Sequence, residues 1–551
     1  MTPSPARTRA RGPVLPRGTP LRVARTAVAA VAVVAVSTAL TSCGSLDGTS
    51  GSDLRSGALT AVQMATIARI TGPQNPGSQI GMALCEGLTR IDDAGKVHMD
   101  GAASVTSSDR VTWTIKVAPG RTFSDGTPVT AKTWVDSFNF TALGSHAMAS
   151  NFAYAHVAGY PALNPAKGKA KRTTLSGLKV TGKDTFTLTM DAPNNDLPYM
   201  LATLPFCPMP ESAFKNPIAY DKKPVTNGPY VLTKLKPQFE AVVERRKDYK
   251  GWIPEGAADK ITFRVYNDAN TAYQDVVAGN TAVLRSLPPG LIAQGKNALG
   301  AEALTPIPRN TLETYITWPT YLDKKYPKEV REAFSMIIDR DAISKNLFLG
   351  SSQAAHSLMP NSVSAYRPDP CGTTCSFDPA AARKLLDRSG FKGTIPLLYD
   401  STDTTFAEAA LAISNEAKRI GLKVEPQPRP TAALGADTNN YALDGPSLAL
   451  WGSSFPSASE WVASIMVDAN YRLKYTNPTA SSEVAKAWAA RSPAEADRHW
   501  RAAESSILSD QVIQPLYYQV MYIAHDPCLK PHSAGGDMQI YRTQITCGTG
   551  H

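Results

Sequence analysis

The 551-residue sequence lacks the residue constellations that most enzymes need. It carries no G-x-S-x-G elbow and no H-E-x-x-H pair, which removes two common hydrolase arrangements. A phosphate loop is approached once, from Gly290 to Lys296, but Asn297 stands where a magnesium-binding Ser or Thr belongs. Pro288-Pro289 before it also fits poorly with the strand such a loop requires. The eight histidines are scattered, and His156 and His525 read as ordinary packed or surface residues. No long low-complexity tract is present. No C-x-x-C or H-x-x-x-H accompanies the cysteines, so neither a metal site nor a cofactor is expected.

Acidic residues are missing from the first 43 positions, whereas six arginines (Arg7, Arg9, Arg11, Arg17, Arg22 and Arg25) lie there. They precede an uncharged run from Thr26 to Leu40, shorter than the roughly 20 apolar residues a membrane span needs. Residues 1–43 therefore read as a signal peptide. It ends Leu40-Thr41-Ser42-Cys43, which looks like a bacterial lipobox with Cys43 as the acylated residue. The Ser-, Gly- and Asp-rich residues 44–57 read as a flexible tether. With those six arginines set aside, the formal charge of +10 falls to about +4, too little to argue for nucleic acid or an acidic membrane surface. The membrane is expected to be reached through the lipid alone, and the chain to be monomeric.

Six cysteines follow Cys43, an even number suited to an oxidising compartment. Cys371 and Cys375 enclose three residues of a Pro-rich loop, and Cys528 and Cys547 both lie in the tail. Cys85 and Cys207 remain as the third pair. Six cysteines allow 15 connectivities, so this set is one choice among them.

What is present centres on Trp113 to Trp134, WTIKVAPGRTFSDGTPVTAKTW. Trp113, Ile115 and Val117 alternate as in a half-buried strand. Ser124 to Pro128 predicts a tight turn with Gly126 at positive φ. Thr130 predicts a helix cap, with Trp134, Val135 and Phe138 turned inward. Further along, Ile261 to Tyr266 reads as a strand, Thr271 to Ala278 and Val330 to Arg340 as helices, and Ala409 to Val424 as a helix followed by a strand. This alternation predicts an α/β chain, and its length predicts more than one domain.

The Trp113–Trp134 string resembles the signature of the family 5 extracytoplasmic solute-binding proteins, the oligopeptide and dipeptide receptors of ABC importers. Glu86-Gly87-Leu88, Asn227-Gly228-Pro229-Tyr230 and Val330-Arg331-Glu332-Ala333…Ile338-Asp339-Arg340 match further family segments in the same order. The likeness runs from about Leu59 to Tyr541. It implies a two-lobed periplasmic-binding-protein fold of type II. Lobe I would span 58–265 with a subdomain inserted at about 90–205, lobe II 266–512, and residues 513–551 would return to lobe I. It also implies lobe closure about two crossovers, peptide or peptide-like solutes, and permease subunits with cytoplasmic ATPases as partners.

By the same resemblance, Leu450 to Phe455 match the family's G-W-x-x-D-Y, whose Asp holds the α-ammonium of a bound peptide. Ser454 occupies that Asp position, which favours an N-blocked peptide, a sugar or a siderophore-like solute unless Asp444 or Glu460 replaces the charge. Trp451, Gly452, Ser453, Ser454 and Phe455 are thus candidate ligand residues, with Gln74 and Asn75 opposite and Tyr154, Tyr315 and Trp318 as further aromatic candidates. The rival readings are an anchored secreted hydrolase and a receptor that signals rather than feeds an importer.

Overall fold

The Trp113–Trp134 stretch folds as its pattern dictates. In the computed structural model, the strand Thr112–Val117 buries alternate residues, Trp113, Ile115 and Val117, and Gly126 turns with φ +85°. Thr130 caps the helix Ala131–Ala142 by accepting from the Thr133 amide, and the Thr133 hydroxyl accepts the Thr130 amide at 3.1 Å in return. Thr133 therefore completes a capping box. Trp134 and Phe138 are fully buried, each contributing roughly 2–3 kcal/mol by burial.

The structure describes residues 53–547 apart from 65, 166, 308–311, 349–350 and 535–536. The arginine-rich leader, Cys43 and the tether up to residue 52 lie outside the described residues. The last tether residues depart from expectation. Asp53 caps a short turn at Leu54–Ser56, and Leu54 is buried against the first sheet's core.

Three sheets of four or more strands organise the described residues. The first has seven strands in the order Leu304–Pro306, Tyr522–His525, Val283–Leu287, Ala58–Met64, Lys260–Tyr266, Glu240–Arg245, Tyr230–Lys236. Ala58–Met64 is its axis and runs parallel to Lys260–Tyr266 over seven residue pairs. The second has six strands in the order Ser352–Ala354, Ile513–Gln519, Leu312–Thr317, Ser447–Gly452, Thr394–Asp400, Lys423–Arg429. The third, of four strands between Ala102 and Thr189, has its own core around Trp134, Phe138 and Phe186.

This pairing moves the expected lobe boundaries. Residues 266–307, assigned from sequence to lobe II, belong to the first sheet. The helix Ala269–Val277 buries Tyr273 and Val276 with Leu284 and Leu287 of that sheet. Residues 513–519, expected to re-enter lobe I, pair instead within the second sheet, alongside Leu312–Thr317. The chain thus crosses once between Ile307 and Leu312 and returns between Gln519 and Tyr522. The single helix expected from Val330 to Arg340 is two, Lys328–Met336 and Arg340–Leu347, because the Asp339 carboxylate accepts the Ala342 amide and starts the second.

The disulfides are Cys85–Cys207, Cys371–Cys375 and Cys528–Cys547. The first joins positions 122 residues apart, for which the chain-entropy model gives about 4–5 kcal/mol. Glu86, beside Cys85, pairs with Arg121 of the signature stretch at 2.8 Å. Burial and the nearby Asp100 outweigh that arginine and push the Glu86 carboxyl up to about 8. No described helix is long and apolar enough to cross a membrane.

Candidate functional site

The second sheet's central strand Ser447–Gly452 delivers Trp451 and Gly452 into a loop, Ser453 to Ser457, that ends where Ser457 caps the helix Ala458–Leu473. Two bonds fold this loop onto the first turn of the helix. The Trp451 indole Nε1 donates to the Glu460 carbonyl at 2.7 Å, and the Ser454 amide donates to Glu460 Oε2 at 2.8 Å. Trp451 is half-buried, while Gly452 and Ser454 are exposed. The Ser454 amide is therefore held by a carboxyl six residues later in the chain.

Burial pushes the Glu460 carboxyl up to about 7; the Ser454 bonds oppose the shift and Asp196 adds to it. Among the described residues no cation pairs with it in the ion pairs found. A solute ammonium at this loop would supply that counter-charge and draw the carboxyl back to its ionised form. Asp444, the other replacement considered, is exposed before the strand begins. Its carbonyl accepts from Lys325 Nζ at 3.0 Å and Tyr326 OH at 3.1 Å.

Phe455 faces the other lobe. It stacks on Tyr199 with ring centroids 5.6 Å apart and packs with Ile91 and Ala534 of the first lobe. The loop accordingly lies at the boundary between lobes. A cleft of about 270 Å³ opens beside it, lined by Arg110, Asp196, Tyr199, Ser457, Trp488 and Trp500.

The remaining candidates divide. Gln74 is half-buried in the Thr71–Gly77 loop, and its side chain makes no hydrogen bond among the described residues. Asn75 is spent within that loop, donating to the Arg69 carbonyl and accepting the Gly77 amide. Three aromatic candidates belong to cores instead. Tyr154 is fully buried against Phe138 and Phe206, with its hydroxyl on the Pro205 carbonyl. Tyr315 is buried with Trp461, and Trp318 packs edge-on to Tyr326 and Phe334. Alternating strand positions and aromatic identity could not separate a cleft wall from a core wall. Asp196, Tyr199 and Trp488 were missed because the contacts that bring them to this loop cross the lobe boundary. No described group of His, Cys, Asp and Glu has the makings of a metal site.

The model of the bacterial extracellular solute-binding proteins, family 5 (middle region), matches residues 96–471. The chain is 24% identical over 463 residues to the periplasmic murein peptide-binding protein MppA of Escherichia coli (strain K12), covering 80% of this chain and 83% of that one. It is 24% identical over 475 residues to the periplasmic oligopeptide-binding protein OppA of the same strain, covering 81% and 83%. Against the glutathione-binding protein GsiB of Escherichia coli O157:H7 it is 24% identical over 469 residues, covering 80% and 84%. Among solved structures, the Escherichia coli murein tripeptide binding protein MppA superposes with a TM-score of 0.74 at 20% identity, covering 89% of this chain and 98% of that one. The clavulanic acid biosynthesis oligopeptide binding protein 2 superposes at 0.77 with 16% identity, covering 90% and 96%. The two-lobed fold, the ordered motifs and the family match agree: the chain belongs to the bacterial extracellular solute-binding proteins of family 5.

Proposed function

We propose that this extracytoplasmic receptor captures a peptide or peptide-like solute carrying a free amine and delivers it to an ABC permease by closing its lobes. The observation that carries the reading is the Glu460 carboxyl, held at Ser454 beside the Trp451 ring. It restores an anionic partner for an ammonium where the Ser454 position alone argues for an N-blocked or neutral solute. Trp451 supplies an apolar wall, and Gly452 and Ser453 offer backbone to an extended ligand. Gln74 completes the opposite side. The names of the relatives, which bind murein peptide, oligopeptide and glutathione, support the same solute class.

Calorimetry with trialanine and N-acetyl-trialanine tests it. Wild type binds the free amine more tightly, and Glu460→Gln removes that preference by weakening trialanine roughly 10–100-fold while leaving the acetylated form nearly unchanged. Equal loss for both peptides would overturn the assignment of Glu460.

Attachment through a lipidated Cys43 belongs to the same proposal. Cys43→Ala then releases the protein from the membrane or leaves the precursor uncleaved. Membrane retention with normal processing speaks against it.

A further inference from the structure

The lobe boundary carries a second polar contact, made where the Ser453–Ser457 loop ends. Asp196 lies in the first lobe, immediately before the short helix Leu197–Met200, and is buried. Its Oδ1 accepts from Ser457 Oγ at 2.8 Å, and its Oδ2 accepts from the Trp488 indole Nε1 at 3.3 Å. Both donors belong to the second lobe. Ser457 is the N-cap of the 16-residue helix Ala458–Leu473, so the carboxylate sits against a helix N-terminus.

Arg110 makes the opposite match. Its guanidinium donates to the Ala489 carbonyl at 2.8 Å, at the C-terminal end of the 12-residue helix Pro478–Ala489. The first lobe thus presents an anion to one helix N-terminus of the second lobe and a cation to another helix's C-terminus. Each charge has the sign that the helix dipole favours.

The two charges are held as one unit. The Asn194 amide donates to the Arg110 carbonyl at 2.9 Å, and Asn194 Oδ1 accepts the Asp196 amide at 2.7 Å. Arg110 itself adopts φ +60°, a left-handed conformation uncommon outside glycine, and its amide donates to Ser107 Oγ at 2.8 Å. His156 of the first lobe meets the Trp488 ring edge-on at 5.6 Å.

We propose that Asp196 and Arg110 form a two-point latch that holds the lobes closed on the second lobe's helix termini, even without solute. An anion buried at a lobe boundary without its partners is costly, so opening must expose Asp196 to water, and the latch sets the closing equilibrium. Apparent affinity then scales with the closed fraction for every solute alike.

Small-angle scattering of the ligand-free full-length secreted protein tests this. Wild type gives the radius of gyration of the closed form, whereas Asp196→Ala and Arg110→Ala each give a larger one, from a roughly 10–100-fold shift of the closing equilibrium. The opposing variant, Ser457→Ala with Trp488→Phe, reproduces the effect of Asp196→Ala from the second lobe and serves if that variant does not fold. Combining the two sides adds little, as expected for one shared interaction. Glu460→Gln leaves the radius unchanged, so a wrong solute assignment and a wrong latch give different results. An extended wild type, or latch variants that scatter like wild type, would overturn the proposal.

Discussion

The Ser454 amide and the Glu460 carboxyl, 2.8 Å apart, bring an ionisable acid to the end of the Ser447–Gly452 strand. The acid is carried by the first turn of the following helix and folded back onto the loop. Its charge depends on pH, because burial holds Glu460 near neutrality.

The carboxyl, pushed up to about 7, is protonated below that value and must lose its proton to pair with an ammonium. Affinity for trialanine therefore falls about tenfold per pH unit below 7, and N-acetyl-trialanine shows no such slope. Calorimetry from pH 5.5 to 8 in two buffers checks it, since free-amine binding at pH 6 releases close to one proton. A flat profile for both peptides is the contrary result.

Trp451 contributes by area and by fixing the loop through its bond to the Glu460 carbonyl. Trp451→Ala weakens trialanine and its acetylated form alike, by roughly 10–100-fold. Trp451→Phe keeps the wall but loses the bond, and gives a smaller loss. Selective loss of only one peptide would contradict the role of a common wall.

Much of this was legible beforehand. Alternation at Trp113, Ile115 and Val117 and the cap at Thr130 reported local structure directly, because strand period and helix capping are set within a few residues. All three disulfide pairs agree with the expected set. The lobe boundaries were misplaced, because which sheet a strand such as Ile513–Gln519 joins is decided by partners hundreds of residues away. Tyr154 and Trp318 were misread for a related reason: an aromatic residue looks the same in sequence whether it faces solute or Phe138.

Glu313 is fully buried, its two carboxyl oxygens have no hydrogen-bond partner among the described residues, and burial with Glu504 nearby raises its pKa well above 4.5. A raised carboxyl favours folding below its unfolded value, and that contribution is lost as pH rises toward the folded one. Glu313→Met is therefore more stable than wild type at pH 7.5, by on the order of 2 kcal/mol, and the gain shrinks at pH 5. Thermal unfolding at both values decides it; a destabilised variant at pH 7.5 sinks the account.

Removing the Cys85–Cys207 bridge, as Cys85→Ala with Cys207→Ala, costs about 2–5 kcal/mol. The bridge joins the end of the helix Gln79–Leu84 to the Leu204–Phe206 turn. A lowered Tm and a lower denaturant midpoint report it, while solute affinity per folded molecule changes little. Unaltered thermal stability contradicts a stabilising role.

The order of strands in the first sheet has a consequence for biogenesis. Tyr522–His525 lies between Leu304–Pro306 and Val283–Leu287, so the sheet that begins at Ala58 lacks an interior strand until the chain's final segment arrives. The second sheet, from Leu312 to Gln519, is contiguous and needs nothing from outside. As the polypeptide is made amino end first, the later lobe is free to mature before the earlier one is complete. Until then the first lobe carries open strand edges, the feature that makes an incomplete sheet prone to pair with other chains.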